Sequence, residues 1–295
     1  MAAGGITGRF PILGLLALCL LVRASPARGG PCPTPGDLIV IASAETRGEI
    51  LPCDCPQQRV GGLAWRAALL EEVAGTGCPR ILIELGEVFP PPDSLADPVR
   101  WAATVGTAYG RMGYDLIVLG EEDIRLGRQI LDAFEEAFLE VRPTGVVARP
   151  SAGGAGSMVS YIVSGPDTNG GVACLVVWPP VDPALLAHWV RSETEPAQPS
   201  LVLLHSSLLH AKELAPALSG AALLAAGDGA QLPELKWMSG LPVSGPGARG
   251  RTLSFTRLSR VVGGVWSPVA HMLIPVAPRE GGEEVARLID ELAAP

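Results

Sequence analysis

The chain reads as an α/β protein built as a four-layer sandwich, helices on sheet on sheet on helices. Two observations predict this. Apolar runs rich in β-branched residues alternate with helix-period patterns through the first two thirds, and strands that are apolar throughout need cover on both faces. The last third changes to strands separated by Gly and Pro turns, which favours antiparallel pairing, so two α/β halves closed by such strands fit the four-layer arrangement.

The elements follow in order. Asp37 to Ala44 (DLIVIASA) is a predicted strand, and Gly62 to Ala74 a helix with Leu63, Ala67, Leu70 and Val73 on one face. Arg80 to Leu85 (RILIEL) is the second strand, Pro98 to Met112 a helix, and Asp115 to Leu119 (DLIVL) the third strand. A helix follows with Ile130, Leu131, Phe134 and Phe138 at core spacing, then a strand over Thr144 to Ala148. The Gly-rich stretch Ser151 to Ser157 reads as a joint. Beyond it, Met158 to Val163 and Gly171 to Trp178 read as a hairpin, Pro183 to Arg191 as a helix and Pro199 to His205 as a buried strand. Ser207 to Leu218 is helical and Ala221 to Ala226 a strand. Leu241 to Ser244, Thr252 to Leu258 and Val261 to Leu273 are the turn-separated strands. Glu283 to Ala293 closes the chain as an amphipathic helix with Val285, Leu288, Ile289 and Leu292 inward.

A chain of 295 residues, 48% of them hydrophobic, has ample material for a core. Its net charge is −8 and its basic residues form no run, so nucleic acid and an anionic membrane surface are not expected partners. At the N-terminus Arg9 precedes an apolar run, Phe10 to Val22, of about 13 residues, too short to span a bilayer comfortably. Small residues follow, and Ser25-Pro26-Ala27 suits signal peptidase. The division expected is a signal peptide over 1–27, a linker over 28–36, a main domain over 37–275 and a C-terminal helix over 276–295. The mature chain is then exported, periplasmic or extracellular, without stable membrane insertion; an uncleaved anchor is the alternative. Cys19 leaves with the signal. Cys32, Cys53, Cys55, Cys78 and Cys174 remain, an odd set that leaves a free thiol or an intermolecular bond. Cys174, in the apolar run Val172 to Val177, reads as a buried thiol.

Chemistry in such a fold gathers on loops leaving the C-terminal ends of strands. The stretch Ala42 to Leu70 is the most informative: a strand end, a loop carrying Cys53-Asp54-Cys55, then Gly61-Gly62 opening a helix. This layout resembles the first metal-binding loop of the metallophosphoesterase superfamily, in its 5'-nucleotidase/UDP-sugar hydrolase branch. There the strand ends in N-D-x-H-G and a downstream G-G-L-A-R starts the helix. The corresponding residues here are Ala44-Glu45-Thr46-Arg47-Gly48 and Gly61-Gly62-Leu63-Ala64-Trp65-Arg66. Leu85-Gly86-Glu87-Val88-Phe89 is similar to A-G-D-x-F, and Leu119-Gly120-Glu121-Glu122-Asp123 to L-G-N-H-E. Leu204-His205-Ser206 stands at L-S-H, and Gly227-Asp228-Gly229-Ala230 at G-H-x-H. Gly245 to Leu253 resembles a later G-x-x-G-x-x-L loop. The resemblance runs in register from about residue 37 to 260, and it implies the four-layer fold of the metallo-dependent phosphatase type.

The resemblance also implies a set of site positions. Glu45, Glu87, Glu121, His205 and Asp228 fall at metal-ligand positions, and Arg47 and Glu122 at positions that act on the scissile phosphate. His205 alone keeps the family's residue. A dinuclear centre needs a bridging carboxylate and several neutral donors about 3.5–4 Å from metal to metal. Arg47 instead puts a permanent cation where a lone pair is required, and Ala230 supplies no ligand. Two readings follow: a salt-bridged remnant of the site, or a remodelled oxygen-rich site for one divalent ion, Mn, Mg or Ca. Either leaves room for a small phosphorylated ligand; the sequence names no protein partner.

The thiol pair Cys53 and Cys55 stands apart from the nucleotidases. Close C-x-C pairs exchange disulfides or bind soft metals, and the other reading is structural bonding to Cys32 and Cys78. Three functions are therefore open: a remodelled, catalytically impaired homologue, an active phosphomonoester or nucleotide hydrolase, and a thiol redox or metal-handling accessory protein. His188, His210 and His271 read as packing or surface residues.

Overall fold

The computed structural model describes residues 36–53, 59–150, 156–164, 171–193, 198–261 and 264–293. The expected signal peptide, Cys32, Cys55 and most of the Gly-rich joint lie outside the described residues.

Two six-stranded sheets form the centre. In the first, β1 (Leu38–Ala44), β2 (Arg80–Leu85), β3 (Leu116–Val118) and β4 (Val146–Ala148) run parallel, while β11 (Thr252–Arg260) joins β1 antiparallel and β12 (Trp266–Pro275) extends the edge. The second places β6 (Val172–Trp178), β7 (Ser200–Leu204), β8 (Leu223–Ala226) and β10 (Leu241–Ser244) in parallel, with β5 (Ser157–Val163) and β9 (Lys236–Met238) antiparallel at its two edges.

Alternate residues of each strand serve different cores, as the two-residue period of a strand requires. From β1, Val40, Ala42 and Ala44 pack with Val176, Trp178 and Leu203 between the sheets. Ile41 instead faces the outer layer of α1 (Leu63–Ala74), α2 (Pro98–Met112), α4 (Arg128–Val141) and α7 (Glu283–Ala293). On the far side, Val202 and Leu204 pack against α5 (Pro183–Glu193) and α6 (Leu208–Leu214). The buried Trp178 indole donates to the Leu119 carbonyl at 2.9 Å, tying the two sheets together. These layers are the four-layer α/β sandwich the sequence predicts.

Capping chemistry fixes α2. The Asp97 side chain accepts from Arg100 N, Pro98 opens the first turn, and Gly113 closes the helix in the left-handed region. The expected helix over Ser207 to Leu218 tightens to a 3-10 turn at Ala215–Leu218, since Pro216 has no N–H to continue the α pattern. The last long strand begins later than expected, at Trp266, because β11 runs on to Arg260 before the chain turns. Three short elements went unanticipated: β9, the single turn α3 (Glu121–Ile124) and a 3-10 turn at Pro92–Ser94. No helix among the described residues is long and apolar enough to cross a membrane.

Candidate functional site

The C-terminal ends of β1, β2 and β3 deliver Glu45, Glu87 and Glu121 to one end of the first sheet, and β7 and β8 deliver His205 and Asp228 from the second. Backbone bonds knit the loops together. Glu45 N donates to the Gly86 carbonyl, Arg47 N to Glu87, and Gly48 N to Val88. Gly86 N in turn reaches Val118 O, and Gly227 N reaches Leu204 O. Glu45, Arg47, Glu87 and Asp228 all adopt positive φ, between 46° and 51°. Side chains rarely accept this conformation, and the surrounding bonds must hold it.

Two of the buried carboxylates at the centre, Glu45 and Glu87, face basic side chains. The Arg47 guanidinium lies 3.3 Å from Glu45, whose side chain is only 5% exposed. Burial pushes the Glu45 carboxyl above its ordinary value, Arg47 pulls it down, and Asp228 pushes it up again. His205 Nε2 stands 3.4 Å from Glu87 Oε1. Burial works against a charged ring there, but the Glu87 carboxylate outweighs it, with Asp123 and Glu45 adding, and the imidazole pKa is raised. The ring lies against bare backbone: a Cβ at Gly86 would come 1.9 Å from His205 Cδ2, and one at Gly120 would come 2.3 Å from Glu87 Oε1.

The other predicted positions separate from this centre. Glu121 and Glu122 occupy the first turn of α3 with exposed side chains, and Glu122 pairs with Arg125 at 2.5 Å. Asp228 is exposed and acts on Glu45 only through its charge. Cys53 forms an isolated bridge with Val60, and both Cys53 and Cys78 are disulfide-bonded. Cys174 is a free thiol buried between the sheets, where burial pushes its pKa far up.

The acid that turns inward is Asp123, which the sequence reading passed over. It is buried and accepts backbone N–H groups from Val88 at 3.1 Å, Phe89 at 3.0 Å and Gly120 at 2.8 Å. Burial and Glu87 push its carboxyl up to about 7 against the pull of those donors. Its bond to Gly120 N is the N3 half of a capping box; Gly120 has no side chain to return it.

A second polar cluster lies beneath the β1 loop, also unforeseen. Arg66 of α1 is fully buried and meets Glu84 of β2 at 3.2 Å. It also donates to Tyr109 and Tyr114, to Thr46 Oγ1 at 3.0 Å, and to the Gly250 carbonyl at 3.2 Å. Ser43 and Thr46 donate to the same Glu84. Arg66 Nε is left without a partner among the described residues. The network ties α1, α2, β2 and the 245–251 loop to the loop carrying Glu45 and Arg47. A third group sits on that 245–251 loop, where Arg249 and Arg251 both pair with Glu49.

These residues do not fit a dinuclear metal centre. Glu45 is engaged by Arg47 and Glu87 by His205, and Ala230 offers no donor. Among the described residues no three His, Cys, Asp or Glu side chains are grouped to hold a metal. What the arrangement does offer is an imidazole of raised pKa beside a carboxylate, and a half-exposed guanidinium at the mouth.

No protein-family model matches the chain, and no curated protein matches it by sequence. Solved structures do match by fold. A 5'-nucleotidase precursor from Thermus thermophilus superposes with a TM-score of 0.63 at 14% identity, covering 87% of this chain and 58% of its own. The sulfate thiohydrolase SoxB, also from Thermus thermophilus, gives 0.65 at 16% identity, over 90% of this chain and 61% of that one. Calcineurin-like phosphoesterase YfkN from Bacillus subtilis gives 0.58 at 13% identity, over 87% and 96%. The chain thus spans about three fifths of the first two structures. On these likenesses the chain has the fold shared by these 5'-nucleotidase, SoxB and calcineurin-like phosphoesterase structures.

Proposed function

We propose that this chain is an exported metallophosphoesterase homologue whose metal centre has been remodelled into an ion-paired site, with catalysis impaired. The observation that carries the reading is Arg47 lying 3.3 Å from Glu45. A guanidinium is charged at every accessible pH and donates only. It can neutralise a buried carboxylate that a divalent ion would otherwise neutralise, and it cannot ligate one. His205 lies 3.4 Å from Glu87, which draws the ring toward its protonated form. The N-terminal apolar run and the disulfide-bonded Cys53 and Cys78 support export to an oxidising compartment.

Metal analysis of the purified protein, paired with a phosphomonoesterase assay in Mn²⁺, Mg²⁺ or Zn²⁺, tests this. The expected result is substoichiometric metal and low turnover with each ion. Robust turnover abolished by His205→Ala would replace this reading with that of an active phosphomonoester hydrolase. Arg47→His restores a neutral donor, so a gain of metal binding in that variant would further support the remodelled site.

A further inference from the structure

A cleft of about 440 Å³ opens beside the carboxylate centre, and neither the metal-site positions nor the proposed function uses it. Its walls include Val60, Gly229, Arg249, Arg251, Thr252 and Pro275. The size is that of a small-molecule site. Glu49 clamps both arginines from below, taking Arg249 Nη1 together with Arg251 Nε and Nη2, the latter two at 2.9 Å. The remaining guanidinium N–H groups have no hydrogen-bond partner among the described residues. The side-chain entropy of two long residues is thus largely lost before any ligand arrives, which favours binding.

The loop that carries them is fixed just as firmly. Arg249 N donates to the Glu45 carbonyl at 2.7 Å and Gly250 N to Ala44 at 3.0 Å. The Gly250 carbonyl accepts from buried Arg66, and a Cβ at Gly250 would fall 1.5 Å from Arg66 Nη2. Arg249 itself holds a φ of 61°. A strained, over-determined loop presenting paired donors to a cleft is a common form of binding site.

We propose that this cleft binds a small organic carboxylate, its head group on Arg249 and Arg251 and its apolar body against Val60 and Pro275. Charge selects the class. Two guanidinium groups against the Glu49 carboxylate leave a single positive charge, which a monoanion balances. A phosphomonoester dianion would bring surplus negative charge close to Glu49 and to Asp228, the neighbour of Gly229. The planar fork of an arginine also matches a carboxylate in two parallel bonds. The inference stands independently of whether the carboxylate centre retains any activity.

Calorimetric titration of the full chain with phenylacetate, acetate and phenyl phosphate tests it. Phenylacetate is expected to bind most tightly, with affinity falling as salt is raised. Arg249→Gln and Arg251→Gln should each weaken it about tenfold or more. Arg249→Gly serves as a second variant that suits the left-handed backbone and so cannot fail through strain there. Three outcomes overturn the proposal: no phenylacetate binding to the wild type, tighter binding of phenyl phosphate, or unchanged affinity in the arginine variants. Binding lost in His205→Ala but kept in the arginine variants overturns it too, and assigns the anion to the carboxylate centre. Because the readout is affinity, failure here is distinguishable from failure of the proposed function, which is read by metal content and turnover.

Discussion

His205 and Glu87 come from different sheets and meet at 3.4 Å across the bare backbone of Gly86 and Gly120. The two glycines leave room for the ring, and the nearby Glu87 carboxylate raises the imidazole pKa above its ordinary value. That contact joins the ends of β2 and β7.

Gly86→Ala should therefore destabilise the protein by roughly 2 kcal/mol or more, through overlap with the imidazole and through its φ of 75°. Urea unfolding measures this. Combining it with His205→Ala should recover part of the loss, because the two side chains contend for one space. Strict additivity of the two changes would disprove the contact.

The His205 ring should titrate above its ordinary value by NMR, and Glu87→Gln should bring it down. A folded-state pKa raised above the unfolded one gives stability that is complete below the unfolded value and is lost as pH rises through the folded value. Glu87→Gln should accordingly cost roughly 1 kcal/mol near about pH 6 and much less near about pH 9. An equal cost at both pH values would mean the pair is uncharged.

At Arg47 two effects oppose each other. Losing the partly exposed pair with Glu45 should cost about 0.5–1 kcal/mol. Glycine at this position relieves the left-handed strain, worth about 1 kcal/mol. Arg47→Gly should thus be more stable than Arg47→Ala, and the reverse order in thermal melts would argue against the backbone assignment.

Arg66→Met should be among the most damaging single changes, about 3–5 kcal/mol, because it strands the fully buried Glu84 without its main partner. The double change Arg66→Met with Glu84→Gln should cost less than Arg66→Met alone. A single-variant cost below about 1 kcal/mol would show that the pair contributes little to the fold.

Alkylation of the native protein before reduction should leave Cys53 and Cys78 unlabelled, since both are in disulfides, and Cys174 unlabelled because it is buried. Mild reductant should expose Cys53 well before unfolding exposes Cys174. Mass mapping of the labelled sites checks both steps, and early labelling of Cys174 would contradict the inter-sheet position.

Much of the fold was legible in the sequence because hydrophobic period is a local property. The runs ending at Ala44, Leu85 and Val118 formed parallel strands; of the turn-separated runs, β11 and β12 paired antiparallel, while Leu241–Ser244 ran parallel to β8 instead. β9 escaped notice because Lys236, Trp237 and Met238 are not buried and carry no periodic signal. The site was less legible. Glu45, Glu87 and His205 could be placed by the order of strand ends. Asp123 was hidden behind two more conspicuous acids, although the strand end alone could not say which of the three would turn inward.

The sequence by itself determined the four-layer class, the order of elements and the one end of the sandwich at which the reactive residues gather. These follow from apolar periodicity and from the rule that loops leave parallel strands at a common end. Only the tertiary structure decided which charge answers which. Arg47 meets Glu45 because both residues hold left-handed backbone pinned by the β2 and 245–251 loops. Arg66 meets Glu84 because α1 packs over β2, and Arg249 joins Arg251 on Glu49 across some 200 residues of chain. Such pairings depend on side-chain direction at irregular backbone and on contacts distant in sequence, and no local pattern of residues encodes either.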